Sequence, residues 1–84
     1  MRIDKFLNAV NITKRRAVAE DMCDHKVVHI NGQVAKKSKE IKVGDKIEIK
    51  YLEKSDLFEV LQIPKTKSTP KSKMAEYVKK VEGN

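Results

Sequence analysis

The sequence predicts an α+β domain in which two packed N-terminal helices precede a small, mainly antiparallel sheet. Two observations predict this class: apolar residues follow helical spacing as far as about His25, and short β-branched runs separated by turn signals come after them. The length of 84 residues leaves material for one hydrophobic core only. We therefore expect a single compact domain with little apolar material left over for a ligand cavity.

An apolar stripe at i, i+3, i+4 and i+7 predicts the first helix. The stripe consists of Ile3, Phe6, Leu7 and Val10. The polar side chains between them are expected to face solvent, and they are Arg2, Asp4, Lys5 and Asn8. Asn11 and Ile12 break the pattern, so a short turn should bring the next helix back against the first.

The second helix is predicted to begin at Thr13, which is a good N-cap residue, and to run to about His25. Its buried stripe is expected to consist of Val18, Ala19, Met22 and Cys23. After Lys26 the pattern changes to that of strands.

Residues 27–30 form a β-branched strand pattern, and Asn31-Gly32 is a strong hairpin signal because both positions of such a turn need positive φ. Gly44-Asp45 marks a second turn. Residues 47–51 then alternate as a half-buried strand does, and residues 57–63 supply another strand.

The compact domain is predicted to span residues 1–64, because Pro64 cannot continue a hydrogen-bonded ladder. Residues 65–73 contain Lys, Ser, Thr and Pro but no apolar side chain to bury, which predicts a flexible basic linker. Helical spacing returns beyond it and predicts a short C-terminal helix over 74–82 that docks on the core.

The excess of positive charge indicates a polyanionic partner. The net charge is +7, and charged residues make up 37% of the chain, which favours RNA, DNA or an acidic membrane surface. Aromatic residues are only 5% with no Trp, too few for a platform on which unpaired bases stack. Structured RNA, which is recognised mainly through phosphates and shape, is therefore the better target. No segment approaches the ~20 apolar residues of a membrane span.

Lys14-Arg15-Arg16 is the main candidate binding site. After a Thr13 cap these cations would occupy the first helical turn, where the helix dipole favours Asp or Glu by about 0.3–1 kcal/mol. A bound phosphate would balance them, because free N–H groups and arginine forks both bind phosphate oxygens. Arg2 and Lys5 would join them from the first helix. The alternative is a solvated face, because 19 Lys and Arg residues produce such runs by chance.

The predicted hairpin extends this candidate site. His29 and Asn31 are expected to face RNA from the outward side of their strand, although a solvent-facing strand residue explains His29 equally well. Lys36 and Lys37 would widen the electrostatic footprint, or simply form a solvated loop. Cys23 and His25 point in different directions on a helix, so no metal site or other cofactor is expected.

Four short motifs occur in order over about residues 1–51. They are Met1-Arg2-Ile3-Asp4-Lys5-Phe6-Leu7, Lys14-Arg15-Arg16-Ala17, Val28-His29-Ile30-Asn31-Gly32 and Val43-Gly44-Asp45-Lys46-Ile47. Together they resemble the S4 domain, the RNA-binding module named after small-subunit ribosomal protein four. The small single-domain members, of the heat-shock and ribosome-associated quality-control types, are the most similar.

This resemblance implies an αL fold, with two packed helices, a small twisted sheet, and RNA along the helical face and the neighbouring hairpin. It implies RNA-binding roles for the residues that match the family motifs, namely Arg2, Lys5, Lys14, Arg15, Arg16 and the Asn31-Gly32 turn. It also implies binding of large-subunit ribosomal RNA or transfer RNA on stalled large subunits. The chain departs from the pattern at Asn11, where the family often has Ser-Arg.

The sequence predicts a binding protein rather than an enzyme. Among only 3 Gly there is no phosphate-cradling loop, and no nucleophile has a plausible base. The alternative function is sequence-tolerant DNA binding, but Glu20, Asp21 and Asp24 on the second helix would meet phosphates badly. The lone cysteine favours a reducing compartment, so we expect a cytoplasmic protein. We also expect a monomer.

Overall fold

A computed structural model describes residues 1–66 and 68–81 of the chain. Two helices open the fold, α1 (Ile3–Ala9) and α2 (Arg16–Asp24). The strands that follow are β1 (Val28–Ile30), β2 (Gln33–Val34), β3 (Lys46–Lys50) and β4 (Ser55–Val60). A 3-10 turn, Lys71–Lys73, then leads into the one-turn helix α3 (Met74–Tyr77) and the strand β5 (Val78–Val81). Within these ranges no helix has the length and apolar character needed to cross a membrane.

The strands form one sheet in the order β2-β1-β3-β4-β5, and each pair of neighbours is antiparallel. One face of the sheet is apolar and is covered by the helices. Its buried side chains are Val28, Ile30, Ile47, Ile49, Phe58, Val60 and Val78. The helices contribute Ile3, Phe6, Leu7, Val10, Ala19 and Cys23 to the same core. The predicted α+β class, with packed helices and an antiparallel sheet, is confirmed.

The Asn31-Gly32 hairpin is confirmed, with φ of 52° at Asn31 and 86° at Gly32. Positive φ at both positions lets the turn follow the twist of β1 and β2. Gly44, at φ 94°, forms the second predicted turn just before β3. The Asn31-Gly32 turn sets the β1–β2 register, in which Ile30 pairs with Gln33, while Ile30 pairs with Ile47 on the other side of β1.

The predicted start of α2 at Thr13 is wrong, because the helix begins at Arg16 with Arg15 as its N-cap. Asn11 has φ of 69°, and the residues between it and Arg16 reverse the direction of the chain. Thr13 is buried, with its backbone N–H donating to the Leu7 carbonyl at 3.0 Å and its hydroxyl to the Arg15 carbonyl at 3.3 Å. Its hydroxyl is therefore engaged in the turn and does not cap the helix.

The predicted C-terminal helix over 74–82 is also corrected, because helical structure ends at Tyr77 and residues 78–81 are a strand, while position 82 lies outside the described residues. The spacing of Val78 and Val81 fits a helix, but the exposed edge of β4 offers backbone partners, and Val78 pairs with Val60. Val78 is buried, and Met74 and Tyr77 pack against the core. The tail thus docks as predicted, largely as an edge strand. The boundary at residue 64 stays a prediction.

The segment predicted to be a linker without anything to bury contains a buried side chain, Thr69. The Thr69 backbone N–H and hydroxyl both donate to the Ala9 carbonyl, at 2.9 and 2.8 Å. The Asn11 side-chain amide donates to the Thr69 carbonyl at 2.8 Å. Polar contacts that composition alone does not reveal therefore tie this segment to the end of α1.

Candidate nucleic-acid interface

A buried carboxylate organises the cations at the start of α1. Asp4 has no exposed surface, whereas the sequence predicted that it faces solvent. Its Oδ2 accepts a hydrogen bond from Arg2 Nη2 at 2.9 Å and lies 3.6 Å from Arg16 Nη2, while its Oδ1 accepts from the Lys5 backbone N–H at 2.8 Å. The first turn of a helix favours a negative side chain. One carboxylate of the core thus positions two arginines predicted to bind RNA.

The cations of the 14–16 run do not share one environment. Arg16 is 45% exposed and also lies 3.4 Å from Glu20 Oε1, one helical turn further along α2. Lys14 and Arg15 are exposed and precede the helix, and neither makes an ion pair within the described ranges. The predicted conflict with the helix dipole therefore applies to Arg16 alone, and Asp4 and Glu20 offset it.

The loop after β2 lies beside the N-terminal end of α1. The Ile3 backbone N–H donates to the Lys39 carbonyl at 2.8 Å, and that of Asp4 donates to the Lys37 carbonyl at 3.4 Å. Arg2 also forms an antiparallel bridge with Glu40. These contacts bring the backbone of Lys37 and Lys39 next to the N-terminal end of α1, and the side chains of Lys36 and Lys37 are exposed. The structure therefore joins this predicted part of the site to the helical cluster.

His29 is not part of that cluster. It lies opposite Glu48 and Val34 on the sheet face away from the helices, where it is half-buried. Its Nδ1 is buried without a hydrogen-bond partner among the described residues.

Asn31 has a structural task that the sequence did not indicate. Its side-chain amide donates to Asp45 Oδ1 at 3.2 Å, and its Oδ1 accepts from the Lys46 backbone N–H at 3.0 Å. The side chain therefore links the β1–β2 turn to the turn before β3. Both its amide group and its carbonyl oxygen are thus engaged within the protein.

A cleft adds one cation that sequence reasoning did not single out. It has a volume of about 340 Å³ and is lined by Met1, Lys5, Asn8, Arg16, Lys65 and Thr66. Lys65 belongs to the segment predicted to be a linker, where several similar lysines occur. Nothing in the sequence distinguishes it from them, because tertiary contacts, such as those of Thr69 with Ala9, bring this segment to the helix.

The described residues contain no cluster of three or more His, Cys, Asp or Glu residues that could hold a metal ion. Burial, with help from the carboxylates of Asp4 and Asp24, raises the pKa of the Cys23 thiol to about 11, so the thiol is neutral near pH 7.

Two helices with clustered cations pack on one antiparallel sheet. This arrangement places the chain in the class of small α+β binding domains. The model of the S4 domain family matches residues 1–47, and the chain belongs to that family. The resemblance identified from the four motifs is thereby confirmed.

Similar proteins extend the likeness beyond those residues. The RQC P-site tRNA stabilizing factor of Helicobacter pylori strain 26695 is 46% identical over 78 residues, which are 93% of each chain. The factor of the same name from Bacillus subtilis is 35% identical over 75 residues, covering 89% of this chain and 84% of its own.

Two solved structures share the fold. The solution structure of a hypothetical protein has a TM-score of 0.85 and 43% identity, and the match covers 100% of both chains. Heat Shock Protein 15 of Vibrio cholerae, described as trimeric, has a TM-score of 0.86 and 26% identity over 96% of this chain and 81% of its own. The strand β5 and the tail before it thus lie within the shared fold.

Proposed function

We propose that this chain binds structured RNA as a ribosome-associated quality-control factor, with transfer RNA and the ribosomal RNA of the large subunit as its ligands. The observation that carries the proposal is the group of exposed cations around the buried Asp4 at the start of α1. The name shared by the similar proteins, RQC P-site tRNA stabilizing factor, supports the choice of ligand.

The chemistry proposed for this surface is contact with phosphates. Its central residues are Arg2, Lys5, Lys14, Arg15 and Arg16. Arginine forks hold phosphate oxygens in a defined geometry, and lysines add mobile positive charge. Lys36 and Lys37 extend the surface toward the hairpin, while His29 and Asn31 have peripheral roles in the proposal. Such contacts fit a duplex or folded RNA, whose backbone displays phosphates in a regular pattern.

In this proposal the chain acts by binding alone, as a cytoplasmic monomer, and catalyses no reaction. The Vibrio cholerae structure is trimeric, so the oligomeric state of this chain needs its own measurement. Sedimentation equilibrium of the free protein tests it, and a monomer is the expected result.

Sucrose-gradient sedimentation of the protein with purified ribosomal subunits tests the proposal. We expect the protein to travel with the large subunit and to dissociate as salt increases, with log K falling by about 0.7–0.9 per phosphate contact for each unit of log salt. Sedimentation with the small subunit alone, or binding that ignores salt, would contradict the proposal.

Parallel titrations with transfer RNA, ribosomal RNA fragments and duplex DNA at one salt concentration test the alternative of DNA binding. We expect the RNAs to bind more tightly than DNA. Asp21 and Asp24 are exposed on α2, where they would repel the phosphates flanking a DNA groove. Equal affinity for duplex DNA would favour the alternative.

A further inference from the structure

The cleft lined by Lys5, Arg16 and Lys65 joins cations from three separate segments of the chain. These segments are α1, the first turn of α2 and the tail after Pro64. We infer that this cleft is a pocket for one phosphate group of the RNA backbone, with Lys65 as a ligand-contacting residue. The inference rests on the proposed function and adds a contact from the C-terminal segment to it.

The charges of the cleft favour an anion. Lys5 and Lys65 form no ion pair within residues 1–66 and 68–81. Arg16 contacts Asp4 and Glu20 but keeps 45% of its side chain exposed. Asn8 and Thr66 also line the cleft, although the Thr66 hydroxyl donates to the Ser68 carbonyl at 2.8 Å and Asn8 Nδ2 to the Thr13 carbonyl at 3.4 Å. The cleft therefore has a net positive charge, and its ammonium and guanidinium groups are the hydrogen-bond donors for an anion.

Lys65 is held near α1 by contacts on both sides of it in sequence. Pro64 is buried immediately before it. Thr69 donates two hydrogen bonds to the Ala9 carbonyl, and its own carbonyl accepts a third from the Asn11 side chain. A side chain on a segment fixed in this way loses less conformational freedom on binding than one on a free tail.

The size of the cleft and its surroundings favour a phosphate within a polymer. The cleft volume of about 340 Å³ is far larger than the roughly 10–15 Å³ that one water molecule needs. The cleft therefore has room for a phosphate and part of the attached sugar. Lys14 and Arg15 are exposed next to Arg16 and can contact the adjacent phosphates of a backbone. Inorganic phosphate has the same oxyanion chemistry, but it would leave those neighbouring cations without a role.

The variant Lys65→Gln tests the inference, because it removes the charge of an exposed side chain while keeping its approximate length. Lys71→Gln is the matched control: Lys71 is an exposed lysine of the same tail that does not line the cleft. Both variants have the same net charge and are titrated with the same folded transfer RNA at several salt concentrations. Thermal melts confirm that both remain folded.

We expect Lys65→Gln to weaken RNA binding about tenfold, which is about 1.4 kcal/mol, and to lower the salt slope by about 0.7–0.9. Lys71→Gln should change affinity less than about twofold, since it loses only long-range attraction, which salt screens. In the double variant Lys5→Gln/Lys65→Gln the losses should be less than multiplicative, because both lysines contact one phosphate. Equal losses in Lys65→Gln and Lys71→Gln would overturn the inference.

A second arm distinguishes the two sources of phosphate. Inorganic phosphate is titrated into the wild-type protein and into Lys65→Gln, and the backbone amide signals of Asn8 and Thr66 are followed by NMR. Weak phosphate binding that depends on Lys65, together with the RNA effect, supports the inference. Phosphate binding with an unchanged RNA affinity would mean a free-anion site and would overturn it. If wild-type protein binds none of the RNAs, the proposed function itself fails.

Discussion

The guanidinium of Arg16 lies 3.6 Å from the carboxylate of Asp4, a side chain with no exposed surface. Arg2 reaches the same carboxylate oxygen at 2.9 Å. The carboxylate comes from α1, Arg16 opens α2, and Arg2 precedes α1, so a single buried charge links the ends of both helices. The proposed RNA surface and the packing of the helices consequently depend on the same residue.

Replacing Asp4 with Asn should destabilise the fold, because the neutral amide keeps the shape but removes the charge shared by Arg2 and Arg16. We expect the free energy of unfolding to fall by about 1–3 kcal/mol and Tm to fall by at least about 4 °C. Differential scanning calorimetry measures both. Glu40→Gln is the control, since it removes a solvent-exposed ion pair with the N-terminal ammonium and should change Tm little. Similar Tm values for the two variants would refute the role of Asp4.

Asn31→Ala should act on stability rather than on RNA affinity. The variant loses the hydrogen bonds to Asp45 and Lys46 and places alanine at a φ of 52°, a region that Asn tolerates better than Ala. We expect a loss of about 1–2 kcal/mol in urea unfolding. RNA affinity measured well below the unfolding transition should stay within about twofold of the wild type. A larger loss of affinity in the folded variant would show that Asn31 contacts RNA directly.

Cys23 should react slowly with thiol reagents. Burial raises the pKa of its thiol from 9.0 to about 11, with smaller contributions from the carboxylates of Asp4 and Asp24. At pH 8 the thiolate fraction should thus be about 100-fold lower in the folded protein than in guanidinium-unfolded protein. Alkylation rates followed by mass spectrometry measure this difference, and comparable rates in the two states would contradict it. Because the unfolded chain loses the proton first, stability should also decline as pH rises above about 9 toward 11.

Deleting residues 78–84 should lower stability, since it removes Val78 from the core and exposes the backbone edge of β4. We expect a loss of at least about 2 kcal/mol, from the apolar burial of one valine and the ladder beside it. Thermal melts followed by circular dichroism give the change and show whether a cooperative transition remains. Lys79→Ser, an exposed change on the same strand, is the control. If the truncated chain had the same Tm as the wild type, β5 would contribute nothing to the stability of the fold, contrary to this prediction.

Local patterns predicted most of the fold. The stripe from Ile3 to Val10 and the Asn31-Gly32 turn specify their structures through neighbours in sequence, and both are observed. The sequence-based predictions were wrong where contacts between residues distant in sequence determine the local structure. Asp4 is polar and lies between Ile3 and Lys5, and the partner that allows its burial, Arg16, is supplied by another helix. Val78 has helical spacing, yet β4 offers it a strand partner. Lys65 reaches the cleft only through tertiary contacts.

The variants Arg16→Glu and Arg15→Glu separate the structural and the binding contributions of adjacent cations. If Thr13 capped α2, Glu at position 16 would complete a capping box and stabilise the helix. The observed helix begins at Arg16, whose side chain lies between Asp4 and Glu20. Glutamate there would instead place a third carboxylate beside a buried one. We therefore expect Arg16→Glu to lower the free energy of unfolding by about 1–2 kcal/mol, a figure reduced from the fully buried case by the partial exposure of Arg16.

Arg15→Glu makes the same change of charge at an exposed position that has no ion pair in the described part of the chain. Its Tm should stay near that of the wild type, while its RNA affinity falls about tenfold or more through loss of a phosphate contact and added repulsion. Arg16→Glu should lose affinity by at least as much and be less stable as well. The measurements are a thermal melt and a salt-matched RNA titration for each variant. Unchanged RNA affinity in both variants would exclude this surface as the RNA site, whereas a stabilised Arg16→Glu would refute its contact with Asp4.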